Sequence, residues 1–553
     1  MKTSMPNLCH KLIHSVILDV SRAHKNAPGK KPIRVWLIFG LVVALATSQH
    51  NGKPLGIVRA DDAVTTKKIF EQYDAAYLSG AQSGWFRTRV DKKISGQGEA
   101  FVTTLNMNLQ IKRYGSVVST RMDTSTTEDS QGKILAMTLT QHLDMGEALT
   151  TARIEGNKMF VKAPGAQTER EVPFDPEAIG PRKQEALLRE KKIKSGESLK
   201  YKSFEASLLM VTNIEAKVRQ MEDIDIFIVD KDDPSKVERK SRKLLRIDVI
   251  PEPIKILGTP LQLPSQAIWV DENYETLRSK TEMPGMGILH LFRTSKEAAT
   301  KPGTAPELLP DLGTGSAVVL AKRIPDVTTA KIVKWKLTLP DEENPTAAFA
   351  QDDRQSAGPA DRGSFVLTVK SGREKATESK PVIETGEFKE ACYYLDSDDA
   401  TVRGLAILAV GRETDPWQKA VRIEQFVNKK MKTSSDVGFA TASQVAKTLT
   451  GDCRQHAMLA AAMCRAVDVP SRTALGLVYV DQSNQAILGF HMWMEVLIDG
   501  KWRGLDPIFG LKGLTPGHIK ICDHSWKNTQ TLAPLLPVLR VMGKLQAQII
   551  EVE

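Results

Sequence analysis

Cysteine is scarce in this chain: its 553 residues include five, at Cys9, Cys392, Cys453, Cys464 and Cys522. That is too few for a disulfide-built scaffold, and none of them stands in a CxxC pair or in a Cys/His cluster with zinc spacing. Aromatic residues make up 6%. The sequence shows no cofactor signature, and we expect neither cofactor nor metal. No apolar run reaches the roughly 20 residues of a comfortable bilayer span. An excess of one charge is also missing as a local feature. The net charge is +10, but it is spread out, and segments such as Arg189-Glu190-Lys191-Lys192 read as solvated faces. A nucleic-acid partner is therefore not expected. Apolar content of 41% and charged content of 26% are ordinary for globular domains. The length suggests about three or four of them.

What is present begins with an export pattern. Lys25, Lys30, Lys31 and Arg34 precede the apolar run Val35 to Ala46, which ends in Ala44-Leu45-Ala46, a cleavage-site pattern. Residues 1–60 are expected to be a signal peptide or N-terminal anchor and linker. Either would place the body in the periplasm or cell envelope.

Residues 61–300 alternate in the manner of strands, as in Phe101 to Leu109, Lys133 to Thr140 and Ile224 to Val229. We expect a large antiparallel sheet or half-barrel there, with a helix over Arg182 to Lys194. Pro-, Ala-, Asp- and Gly-rich stretches at 300–303 and 342–363 read as linker or loop. A small β domain is expected over 310–385, built from Ala317–Leu320, Ile332–Leu337 and Ser364–Val369. After Cys392 the pattern turns helical. Asp415-Pro416 and Thr441-Ala442-Ser443-Gln444 read as helix starts, and strands follow. The fold class is α+β, with a C-terminal domain over 386–530 and a tail over 531–553.

Chemistry concentrates in that C-terminal domain. Gly451-Asp452-Cys453 precedes the apolar run Met458, Leu459, Ala461, Ala462, Met463 and Ala466, so Cys453 falls in the first turn of a buried helix. A helix N-terminus lowers a thiol pKa and offers N–H groups to an oxyanion. Cys464 lies eleven residues on, roughly 16 Å along the axis, and reads as a core residue. Asp499-Gly500 is a two-residue hairpin signal. It sets Ile498 opposite Lys501 and Trp493 opposite Asp506. The two-residue period then puts His491 on the face of Asp506, a diagonal neighbour at roughly 7 Å. A cysteine, a histidine and an aspartate in this order are the parts of an activated thiol nucleophile.

The combination resembles the transglutaminase-like superfamily, whose chemistry is papain-like. The residues that carry it are Gly451-Asp452-Cys453, His456-Ala457, Arg465 to Arg472, His491-Met492-Trp493-Met494-Glu495-Val496, Trp502 and Asp506-Pro507. The resemblance covers roughly 390–525 and makes Cys453 the nucleophile, His491 the general base and then acid, and Asp506 the residue that orients the imidazole. It gives Arg472 and Trp493 structural roles. Arg454 stands where animal-type cross-linking members carry a tryptophan, which argues against calcium-dependent cross-linking.

The expected function is exported, cysteine-dependent amide hydrolysis or acyl transfer on a protein or peptide, through a thioester on Cys453. The competing expectation is a non-catalytic envelope scaffold, or a lipid- or lipoprotein-binding module, that keeps the fold without turnover.

Overall fold

The computed structural model describes residues 65–553 apart from 96–97, 114, 144–145, 163–167, 257–258, 286, 373–385, 435–439, 483–484 and 528–532. The expected leader lies outside the described residues. Among those described, no helix is long and apolar enough to cross a membrane.

Alternating sequence yields one 15-stranded sheet in the N-terminal half. From Arg170–Pro173 at one edge it runs back, strand by strand, to Thr65–Leu78. It then crosses to Gly287–Thr294 and ends at Ala178–Ile179. Pairing is antiparallel except at that last short strand. The sheet rolls up: Lys133, beside the fifth strand of the chain, bridges Ile179 at the far edge. A core of Leu78, Phe86, Met107, Leu139, Val161 and Phe204, drawn from both ends of the sheet, packs on one face of it. The predicted helix forms as Pro181–Lys191, with proline in its first turn. The buried Glu128 accepts hydrogen bonds from the N–H groups of Arg182 and Lys183 at that helix start.

The C-terminal half packs helices on a sheet. Asp399, Asp415 and Thr441 cap the helices Ala400–Val410, Pro416–Lys430 and Ala442–Thr448, the last through a full capping box with Gln444. The acidic stretch around Asp396 thus serves as a helix cap, with Asp396 also accepting from the Ser443 N–H. The sheet joins Ser471–Asp481 to Ala486–Ile498 and His518–His524, and Lys501–Leu505 pairs on Ala486–Ile498. The core that joins the helices to this sheet includes Val402, Ala420, Ala461, Met492 and Met494. A second core, with Trp335, Leu367, Leu477, Ile519 and Ile549, couples the same sheet to a smaller four-stranded one. The strand Ala486–Ile498 is therefore buried almost throughout.

Two expectations are corrected. The segment expected as a tail over 531–553 forms a 3-10 helix, Ala533–Arg540, and a strand, Gln546–Val552, that pairs with Ile332–Thr338. Its alternation buries Ala547 and Ile549, which cover an otherwise open edge beside the buried Trp335. Val318–Leu320, expected in the small β domain, pairs instead with Ala486–Leu488 as an edge of the C-terminal sheet. Three residues cannot fix their own partner. Leu320 settles there because that is where its apolar side is covered.

Candidate active site

The helix that carries Cys453 begins at that residue and runs to Arg465. Asp452 is its N-cap and accepts from the Arg454 N–H at 2.8 Å, while the Gln455 side chain accepts from the Asp452 N–H at 3.1 Å. Asp452 also accepts from the Gln455 N–H, and this bond with the reciprocal one from Asp452 makes a capping box. Glycine precedes it for lack of room: a Cβ on Gly451 would lie 2.4 Å from Cβ of Gln455. Arg454 folds back onto the Asp452 carboxylate at 2.9 Å, so its charge is spent beside the cap. Everything from Gln455 to Arg465 is buried, which fixes the helix and leaves Cys453 half-buried at its mouth.

The histidine and the aspartate come from the hairpin. Asp499 and Gly500 both have positive φ, 51° and 71°, as a tight two-residue turn requires. The register pairs Ile498 with Lys501 and Met494 with Leu505, as the turn signal predicts. Asp506 follows directly, and its Oδ2 accepts a hydrogen bond from Nε2 of His491 at 2.7 Å. Cys453 hydrogen-bonds to the same ring. The three residues singled out from sequence thus stand side by side.

Their electrostatics are those of a coupled set. Burial opposes charge on His491. The charges of Asp506 and Cys453, with hydrogen bonds to both, outweigh it and raise the ring's pKa well above its ordinary value. Burial also opposes charge on Asp506, yet His491 and His518 hold its carboxyl far below the usual range. Burial pushes Cys522 up to about 12, and raises Cys392 and Cys464 as well.

Three neighbours were not anticipated. His518 donates a second hydrogen bond to Asp506 Oδ2 through Nε2 at 3.0 Å, and its Nδ1 meets the Thr515 hydroxyl at 3.1 Å. Glu424, wholly buried, accepts from the Asp506 N–H at 3.1 Å and the Lys512 N–H at 3.0 Å. Burial raises its pKa to about 7. A sign of Glu424 was available, since it stands three residues from both Val421 and Val427 in an apolar stripe. His518 and Thr515 carry no comparable mark.

His491, Asp506 and His518 also form the one group, among the described residues, with three potential metal-ligating atoms within 4.8 Å of one another. Those atoms are engaged with each other: both Nε2 nitrogens donate to one carboxylate oxygen. The three side chains are buried, and we describe them as a hydrogen-bonded chain. His456 takes no part in it. Its Nδ1 turns back to the Asp452 carbonyl at 2.8 Å.

Arg472 and Trp493 pack behind the site. Arg472 pairs with the buried Glu495 at 2.7 Å and with Asp523 at 2.7 Å, and stacks over Trp502. Glu495 is also paired with the buried Lys520 at 2.8 Å. Trp493 packs with Ala474 and Leu514.

Among solved structures, one proposed cysteine protease from Cytophaga hutchinsonii is similar at 16% identity and a TM-score of 0.25, over 40% of this chain and 86% of that one. A β-barrel-like protein of a domain family of unknown function from Brucella abortus is similar at 16% identity and a TM-score of 0.28, over 41% of this chain and 95% of that one. The periplasmic domain of TgpA from Pseudomonas aeruginosa, bound to ethylmercury, is similar at 10% identity and a TM-score of 0.21, over 33% and 92%. Comparison with curated proteins gives no match. Residues 403–507, which run from the first helix of the C-terminal half to just past Asp506, match the model of the transglutaminase-like superfamily, and the chain therefore carries a transglutaminase-like domain.

Proposed function

We propose that this protein is a cysteine-dependent amide hydrolase or acyl transferase, with Cys453 as nucleophile, His491 as general base and acid, and Asp506 as the group that orients the ring. The observation that carries the reading is the 2.7 Å contact between His491 and Asp506, with Cys453 against the same ring at a helix N-terminus. Asp506 takes Nε2–H, so the opposite nitrogen receives the thiol proton. The sulfur attacks the amide carbonyl carbon, and the C=O π pair moves onto oxygen. In this reading the Cys453 N–H at the helix start stabilises that oxyanion, since the Arg454 and Gln455 N–H groups are taken by the Asp452 cap. Collapse breaks the C–N bond, the imidazolium gives its proton to the departing amine, and a thioester remains. Water then attacks, His491 takes its proton, and the carboxylic acid leaves as the thiol is restored. An amine in place of water gives transamidation.

The substrate we propose is a protein or peptide amide, met outside the cytoplasmic membrane. The basic flank and apolar run before residue 47 support that location. The rolled sheet, one face of which is packed by its own side chains, is assigned to docking or substrate presentation.

The test is the rate of Cys453 alkylation against pH in the folded protein, with Cys464 and Cys522 as internal controls. A plateau reached well below the free thiol pKa of about 8.5, and lost in His491→Ala, is the expected result. A Cys453 that reacts like an ordinary thiol in both proteins would favour the non-catalytic scaffold.

A further inference from the structure

His518 stands outside the three residues that the proposed chemistry uses, yet it touches one of them directly. It comes from a different strand, His518–His524, separated from His491 by Ser471–Asp481. Its Nε2 reaches the same oxygen of Asp506 that His491 uses, at 3.0 Å against 2.7 Å. The ring is held on every side. Trp493 lies edge-on at 5.5 Å between centroids and Phe509 at 5.9 Å.

The tautomer follows from its partners. Asp506 only accepts, so the atom facing it carries hydrogen and His518 Nε2 is N–H. Nδ1 then accepts from the Thr515 hydroxyl, whose own oxygen accepts from the Gly517 N–H at 3.3 Å. A neutral ring satisfies every contact in this chain. Burial also favours the uncharged ring. Burial acts first, and His491 and Arg354 add positive charge nearby against the pull of Asp506, lowering the pKa. Arg354 donates to the His518 carbonyl at 2.7 Å. Lys520, two residues along the strand, is taken up by Glu495 and Asp523. Glu424 lies behind Asp506, bonded to its backbone N–H.

Two donors on one carboxylate oxygen divide its negative charge. We infer that His518 is a positioning residue for the Cys453–His491 pair: its N–H holds the Asp506 carboxylate against the His491 ring and limits how much of the carboxylate charge falls on His491. The inference rests on the proposed function of that pair.

The experiment is the same alkylation profile, measured on His518→Leu, which keeps bulk and removes the donor, and on His518→Gln, whose amide can place an N–H near the same point. With one donor gone, Asp506 stabilises the imidazolium more strongly. The alkaline limb that reports loss of the His491 proton should then rise by about half a pH unit or more in His518→Leu, and return in His518→Gln. Thr515→Val, which keeps the ring but releases its tautomer, should raise the limb by less. It carries the test alone if circular dichroism shows His518→Leu unfolded. A limb that stays or falls in the folded leucine or valine variant overturns the inference, and so does a glutamine variant that behaves as leucine does. If wild type and His491→Ala give the same profile, the pair itself has failed, which is a separate result.

Discussion

Gly476 and Trp493 share one space: a Cβ on Gly476 would lie 2.9 Å from Cη2 of the indole and 1.9 Å from the Ile519 carbonyl oxygen. Gly476 is also the residue directly opposite His491 in the sheet, beside the irregularity at Leu475–Gly476. One methyl group therefore has to move either the indole or a neighbouring backbone. We expect Gly476→Ala to cost about 1–3 kcal/mol by overpacking and to displace His491 enough to slow alkylation of Cys453. Urea midpoints and the alkylation rate check this, and an alanine variant of full stability would show that the sheet gives way freely.

Asp506→Asn tests the orienting carboxylate. The amide replaces an acceptor with a donor on one side, so one of the two histidine N–H groups loses its partner or the His491 tautomer flips. Turnover on an amide substrate should fall on the order of 10³–10⁴-fold, with the plateau in the thiol profile lost. An asparagine variant that keeps wild-type rates would remove Asp506 from the mechanism.

Glu424 gives the fold a pH dependence of known sign. Its pKa rises from 4.5 to about 7 on folding, mainly through burial. The native state therefore binds its proton more tightly than the unfolded chain. Its contribution to stability is full below about 4.5 and is lost as pH rises through about 7. Glu424→Gln should flatten that part of the stability curve. It should also cost about 1–3 kcal/mol at low pH, because the amide cannot accept from both backbone N–H groups. Denaturation curves from pH 5 to 8 decide. A wild-type slope retained in the glutamine variant would assign the dependence to another group.

Lys520→Met isolates the buried ion network. Glu495 is held at about 2 despite burial, by Lys520 and Arg472. Removing Lys520 leaves that charge with Arg472 alone and should destabilise by about 3–5 kcal/mol. Replacing Glu495 by Gln in the same protein should recover part of the loss. Thermal melts of the single and double variants measure the coupling, and simple additivity would contradict it.

How much of the site could be read beforehand follows from what each part depends on. The His491–Asp506 contact was legible because it is local: a tight turn fixes a register, and a register fixes faces, within sixteen residues. The helix start at Cys453 is local too, set by Gly451, Asp452 and Gln455. His518 is not. It reaches Asp506 across the sheet, where its place depends on a strand pairing interrupted by a bulge. The pairing of Lys520 with Glu495 across a third strand is hidden for the same reason. The short strands Val318–Leu320 and Gln546–Val552 depend on partners far along the chain, and little in either marks a destination.

The pairing of Gln546–Val552 with Ile332–Thr338 has a kinetic meaning. Between these neighbours in space runs the entire transglutaminase-like domain, looped out and returned. Closing so long a loop adds only logarithmically to the entropy cost, but contacts of such separation form slowly. The clasp is therefore expected to form late in folding. The core shared by Leu477, Ile519 and Ile549 is complete only when the clasp is in place. Removing residues 546–553 should leave a chain that folds its rolled sheet and the Cys453 helix but packs the sheet of His491 less firmly, and stopped-flow refolding should show a slow final phase in the full chain that the shortened one lacks.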